Sequence, residues 1–403
     1  MAWTTFLKRS EMASLQKTSR QVARSPVLIA QFVTVLVAVG QLKLFSTYVS
    51  TDALGIYTVI AAVWAVGNAV IGIAIGTRVL RDAATSQGAT RPVMTLSDLA
   101  QILLGAVAAG TMSALLGFSP AVSIWAAIGL SALTIAEMQC SFSLGRGRNK
   151  EFAARLIARS LIPVLMFGVL AQLHEVGAED VLLALTLGAL AAALGPASIR
   201  RSAFGTQGAM HSIGGANLAL WILASADRII LAPLVPLATV GLYGVTYGVL
   251  DRGFRALTNA FVAQWLPTAF RDRGTVHNVK FFYLLVACCS LGAVVVGPTL
   301  IELLSSGKYH PSFFLVTSLV VGMSAYALAS PLYVRTIGLG AGRQVAGLAG
   351  MCAALNIGIN VLFVPVGGLN VAAVATAVAY LLWLGGLRLV NRRLTRELEV
   401  TGR

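Results

Sequence analysis

Acidic side chains are scarce: 15 Asp and Glu stand against 30 Lys and Arg in 403 residues, and charge of either sign makes up only 11% of the chain. A soluble domain carries about a quarter charged residues, so a soluble fold of this length is excluded. Cysteine and histidine are equally sparse, four of each. Cys140, Cys288, Cys289 and Cys352 lie inside apolar runs without ligand spacing and read as small buried apolar residues. His174, His211, His277 and His310 lie far apart, between or near the ends of apolar runs, with no metal or triad pattern. The longest connection expected on the outer side is about His174 to Glu179, too short for the catalytic loop of a membrane-bound polymerase or ligase. No enzyme chemistry is expected. The loop GTRVLRDAATSQGAT lacks the G-x3-D-R-x-G-R-R pattern of major-facilitator transporters.

What fills the chain is hydrocarbon: 57% of residues are hydrophobic and the mean hydropathy is +0.82. Runs of about 20 apolar residues cross a bilayer as helices. Twelve are expected, over 26 to 49, 53 to 77, 95 to 118, 121 to 144, 152 to 173, 180 to 199, 213 to 235, 239 to 265, 279 to 304, 311 to 334, 344 to 365 and 369 to 391. The first run is too long for a signal-peptide core and reads as a retained helix. The preceding tail, with Trp3, Phe6, Leu7 and five basic residues, suits either an inner-surface amphipathic helix or a disordered segment.

The formal charge of +15 has a topological meaning. Twenty-five of the 30 basic residues fall in the two tails or around the loops after even-numbered spans; Lys308 alone lies in a loop after an odd one. The positive-inside rule then places both termini in the cytoplasm, and the charge is matched to anionic lipid rather than nucleic acid.

LGIY at 54 to 57 returns as VGLY at 240 to 243, and LGRGR at 144 to 148 returns as LGAGR at 339 to 343, each at the same place in its half. Two six-helix bundles, 26–199 and 213–391, are expected, with cytoplasmic segments 1–25, 200–212 and 392–403. Six is even, so the copies share an orientation and enclose a central cavity between them.

A charge deep in hydrocarbon costs at least about 2.5 kcal/mol and needs a polar destination. Lys43, Arg228, Arg252 and Arg255 lie within spans, with Arg78 at the inner end of the second. Facing one cavity, these five form a cationic ladder suited to binding an anion, because arginine keeps its proton and offers a planar fork of donors. Glu137, Asp227 and Asp251 are acids within spans, away from the span ends. Asp251 and Arg255, four residues apart, can also pair along their helix, and Asp227 can pair with a basic group on a neighbour. Asn68 reads as an interhelical hydrogen-bonding group or a pathway residue.

SADRIILAPLVPLATVGLYGVTYGVLDR resembles the S-x-D-R…G-x-Y…Y segment of oligosaccharide flippases of the polysaccharide-biosynthesis type (Wzx-like, MOP superfamily). ALNIGINVLFVPVGGLNVAAVATAVAY resembles the last two helices of the same family, with N-x3-N at Asn356 and Asn360. The resemblance implies a transporter of the bacterial inner membrane that flips undecaprenyl-pyrophosphate-linked oligosaccharide by alternating access, for O-antigen, capsule or exopolysaccharide synthesis. It implies a cationic headgroup site, to which Lys43, Arg78, Arg228, Arg252 and Arg255 correspond. It also implies, for some relatives, coupling to a proton or sodium gradient, for which Glu137, Asp227 and Asp251 are the positions available. No other cofactor is implied; a polysaccharide polymerase and export machinery are the implied partners. Lipid-II-type relatives commonly carry fourteen helices, which points away from that branch. The alternative is a multidrug or small-molecule exporter of the same superfamily.

Overall fold

The computed structural model describes residues 26–85, 90–200, 210–271 and 274–401. The expectations for the N-terminal tail and for most of the segment between the bundles lie outside these residues. The described chain is all-α apart from one two-stranded sheet. In order, α1 is Pro26–Tyr48, α2 Thr51–Gly67, α3 Ile73–Thr85, α4 Leu96–Leu115, α5 Pro120–Gly145, α6 Asn149–Leu173 and α7 Ala178–Ala193. They are followed by α8 Met210–Leu231, α9 Leu237–Arg271, α10 Val279–Leu304, α11 Phe313–Gly338 and α12 Gly342–Thr401. Among the described residues, eight stretches are long and apolar enough to cross a membrane, and rows of large apolar side chains on α4, α6 and α10, such as Leu104, Leu165 and Leu291, stand on the outside of the molecule where lipid would lie.

Helix boundaries follow local chemistry. Ser50, Ser119 and Ser312 each accept a hydrogen bond from the backbone N–H three residues on, capping α2, α5 and α11. The expected second span is continuous through a π-turn, Asn68–Gly72, that joins α2 to α3. The Oδ1 of Asn68 is buried there without a hydrogen-bond partner among the described residues. The expected eleventh and twelfth spans are the two arms of α12, bent at Gly368, whose φ of 60° needs a residue without Cβ, with Pro365 just before it. The expected sixth span ends early: α7 stops at Ala193, and Ser198–Arg200 form a strand pairing in parallel with Val93–Thr95.

Helices α3 to α7 pack mainly among themselves, with α1 against α6, and α8 to α12 do likewise; α2 crosses the seam to pack against α8 and α9. The repeated glycines sit at that crossing. A Cβ on Gly55 would collide with the carbonyl of Leu237, four residues before Gly241, and one on Gly241 would lie 3.0 Å from the carbonyl of Thr51, four residues before Gly55. The contact is therefore reciprocal, as a two-fold relation between the copies demands. Gly55→Val should wedge the seam at its tightest point. A loss of about 1–3 kcal/mol is expected, read as a lowered unfolding midpoint of the purified protein.

The second echo has a different register from the one its letters suggest. LGRGR and LGAGR align 195 residues apart, but α5 and α11 begin and end 193 apart, with caps at Ser119 and Ser312. The glycines that take positive φ beyond each helix are Gly147 and Gly340. Backbone bonds from Gly147 to Leu144 and Arg148 to Ser143 are matched by Gly340 to Ile337 and Ala341 to Thr336. The helix stops where a glycine turns left-handed to close the Schellman bonds, so that geometry, rather than the neighbouring Leu-Gly, sets the correspondence.

The cysteine expectation holds for half of the set. Cys140 and Cys352 are buried, whereas Cys288 and Cys289 are exposed on the outward face of α10, where a lipid-facing thiol is as well accommodated as a core one.

Candidate functional site

A cavity of about 200 Å³ opens at the seam between α1, α2, α8 and α9. Its wall carries Leu42, Tyr57, Thr58 and Ala61 from the first half and Arg228, Tyr247, Gly248, Asp251 and Arg252 from the second. Residues 244, 248 and 252 recur every four along α9, so two glycines lower the wall on the strip from which Arg252 reaches across.

The three arginines of this region differ in how they are held. Arg228 folds back on its own helix: its guanidinium donates to the carbonyl of Ala224, approaches the carboxylate of Asp227 at 3.5 Å and lies 4.7 Å from the ring centre of Tyr247. Arg255 is gripped by both oxygens of Asp251, at 2.8 and 2.6 Å. Arg252 donates to the carbonyl of Ala38 on α1 at 2.9 Å, and among the described residues no carboxylate pairs with it. Two of the arginines are neutralised locally. The third leaves the wall with net positive charge.

Asp227 is fully buried and accepts from the Tyr243 hydroxyl at 2.5 Å. The polar chain continues inward: Tyr243 meets the Thr376 hydroxyl at 3.4 Å, Asn356 donates to Thr376 at 3.5 Å, and Asn360 donates to the Asn356 side chain at 3.1 Å. The Oδ1 of Asn360 is buried with no partner. One carboxylate among hydroxyl and amide oxygens is a donor set for a proton or a hard monovalent cation. The kink of α12 brings the set together, since Asn356 and Asn360 lie on its first arm and Thr376 on its second.

At the charge-poor end, which the basic-residue asymmetry leads one to expect on the outer side, the halves cap each other. Lys43 of α1 donates to the Leu303 carbonyl in the last turn of α10 at 2.6 Å, while Lys308 donates to the carbonyls of Thr47 and Val49 at the end of α1, at 3.1 and 2.7 Å. The hydroxyls of Thr47 and Ser306 meet at 2.8 Å, and Tyr309 donates to the Thr51 carbonyl at 3.1 Å. Cations complement helix C-termini, whose carbonyls have no partner within the helix. Burial pushes the Tyr309 phenol above its usual range, so it keeps its proton and remains a donor, and pushes the Lys308 ammonium below its own.

No family model matches the chain, and no curated protein sequence matches it. Solved structures do. A structure described as "Lipid II flippase MurJ, inward closed conformation" is similar over 90% of this chain and 86% of its own, with 12% identity and a TM-score of 0.61. "Crystal structure of MATE in the bent conformation" is similar over 95% of this chain and 96% of its own, at 13% identity and a TM-score of 0.52. A third, an inward-facing multidrug resistance MATE family transporter of the MOP superfamily, covers 92% and 93% at 12% identity and a TM-score of 0.51. The chain shares the fold of these membrane transporter structures.

Within that fold the expected cationic ladder divides into three places. Arg228 and Arg252 share the cavity wall, with Arg255 one turn beyond. Lys43 belongs to the outer clasp. Arg78 lies near the middle of α3, away from the cavity lining, bonded at 2.5 Å to Asp98, which also caps α4 through Thr95. Of the acids, Asp251 lines the cavity and Asp227 sits behind it, while Glu137 faces Arg159 at 3.8 Å between α5 and α6, away from the seam. Sequence reasoning missed Tyr243 as the partner of Asp227 and Thr376 as the partner of Tyr243. Thr376 is a lone hydroxyl in a run of alanine and valine, and the N-x3-N pair is legible only as a motif.

Proposed function

We propose that the chain carries an amphiphile with an anionic headgroup across the cytoplasmic membrane, of the undecaprenyl-pyrophosphate-linked oligosaccharide class, by alternating access between its halves. The carrying observation is Arg252, a cation on the cavity wall that no carboxylate among the described residues pairs with. A guanidinium held by one backbone carbonyl keeps donors for phosphate oxygens. A cavity of about 200 Å³ suits a headgroup and not a glycan, so the sugar passes only when the halves part. The fold it shares with a protein described as a lipid II flippase supports the same class of cargo.

The Asp227, Tyr243, Thr376, Asn356 and Asn360 cluster is the coupling site in this reading, taking a proton or sodium ion in one access state and releasing it in the other. Both termini lie in the cytoplasm, and the product is delivered to a polysaccharide polymerase and export machinery. The second reading, a small-molecule exporter, is favoured by the fold shared with MATE structures; a net positive wall opposes cationic drugs.

Proteoliposomes containing the purified chain decide between the two. A fluorescent polyprenyl-pyrophosphate glycan should become accessible on the opposite leaflet at a rate that depends on a proton or sodium gradient, and Asp227→Asn should remove the gradient dependence. Uptake of a cationic dye with no movement of the lipid would overturn the proposal.

A further inference from the structure

We infer that the second half contains a binding box for small organic cations, of the alkylguanidinium or quaternary ammonium type, which the chain keeps filled with its own Arg255. The guanidinium carbon of Arg255 lies 4.5 Å from the ring centre of Trp221 and 5.7 Å from that of Tyr326. Tyr326 in turn packs on Tyr380 at 5.3 Å. Asp251 closes the remaining side with both carboxylate oxygens on Nε. Aromatic faces around a carboxylate are the groups by which proteins recognise guanidinium and quaternary ammonium ligands.

An ordinary ion pair along a helix needs only its two members. Here the walls come from α8, α11 and α12 around a side chain of α9, and Tyr380 is buried. The placement gives the box a consequence for selectivity. Asp251 is the acidic residue of the cavity lining, the anchor that an entering cation would seek. Arg255 occupies that anchor, so the acid is neutralised, cations are refused, and Arg252 alone sets the sign of the wall. Arg255 is thus a specificity-determining residue that acts by occupying a site. The inference deepens the anion reading, but the box itself rests only on what surrounds Arg255.

The test empties the box. The full chain and Arg255→Ala, purified in detergent, are titrated with methylguanidinium against ionic-strength-matched sodium chloride, with unfolding midpoint and calorimetry as readouts. Arg255→Ala should bind and be stabilised while the parent chain shows neither effect, and Trp221→Ala in the Arg255→Ala background should weaken binding about tenfold or more. A response in Arg255→Ala no larger than in the parent, or one that survives loss of Trp221, overturns the inference. If Arg255→Ala does not fold unaided, its yield of monodisperse protein with and without methylguanidinium present during extraction takes the place of the titration; rescue is expected, and its absence sinks the idea. Binding by Arg255→Ala together with normal lipid transport by Arg252→Ala would keep the box and remove the flippase reading. The reverse pair of results would do the opposite.

Discussion

Arg252→Ala should reduce movement of the pyrophosphate-linked lipid to a few per cent of the parent rate or less while leaving the protein folded. The two halves of that expectation have different causes. Loss of transport follows from the wall: with Arg228 on Asp227 and Arg255 on Asp251, Arg252 is the charge left to meet a headgroup. A charge-assisted contact to a desolvated anion contributes about 1.5–3 kcal/mol, and a factor of ten accompanies each 1.4 kcal/mol, so losing two such bonds suffices. Retained folding follows from the partner: Arg252 gives up one bond to the Ala38 carbonyl and leaves no carboxylate stranded. Removing Arg228 would strand Asp227 in the core, a change that costs about 3–5 kcal/mol in buried pairs, and so makes a poorer test. Arg252→Lys separates charge from geometry. A lysine that keeps most of the rate means a point charge suffices, and one that does not means the bidentate fork is used. Full transport by Arg252→Ala in the reconstituted system would remove the headgroup site from this wall.

The fold was legible because the bilayer imposes it. Hydropathy alone located the helices to within a few residues in most cases, and it misjudged the places where a different force acts: the end of α7, where a strand pairing takes over, and the π-turn within the second span. The glycine echo at 55 and 241 was legible as a repeat, and the collision of each missing Cβ with the other copy's carbonyl gives its physical reason. Partnerships were another matter. Spacing revealed that Asp251 and Arg255 share a helix face and can pair, which they do. Nothing in the sequence joined Arg78 to Asp98, Asp227 to Tyr243, or Lys43 to the end of α10, since each depends on how two helices meet. A ladder drawn from depth along each helix treats every cation as facing inward; the packing sends Arg228 and Arg252 to the cavity wall with Arg255 a turn beyond, Lys43 to a helix end and Arg78 to a capping box.

The ends of the molecule are linked to its centre by one helix. Ala38 of α1 accepts from Arg252 at the cavity, and Lys43, little more than a turn further along, joins the outer clasp. Parting the halves at the outer end therefore pulls on the same helix that holds Arg252. Under the proposed function, a headgroup that takes the donors of Arg252 would release Ala38, and cargo binding and opening of the clasp would be coupled through the helix that carries both contacts.

Locking the clasp should consequently stop transport without touching the cavity. In a background free of the four native cysteines, Thr47→Cys and Ser306→Cys replace two hydroxyls that already meet at 2.8 Å, one from each half. Oxidation, or a short bis-thiol reagent where the disulfide geometry falls short, ties the halves together where Lys43 and Lys308 cap each other's helices. Transport should fall to background on cross-linking and return fully on reduction, whereas binding of the lipid headgroup from the inner face should persist, because Arg252 lies on α9 below the link. Each single-cysteine variant should be indifferent to oxidant. The clasp's own bonds are exposed at several points and weak one by one. Lys43→Ala with Lys308→Ala should therefore do the reverse, populating outer-open molecules in which the thiol introduced by Thr47→Cys reacts with membrane-impermeant reagents. If the cross-linked protein moves lipid at the rate of the reduced one, the outer ends of α1 and α10 do not part during the cycle, and the pathway must leave the molecule elsewhere.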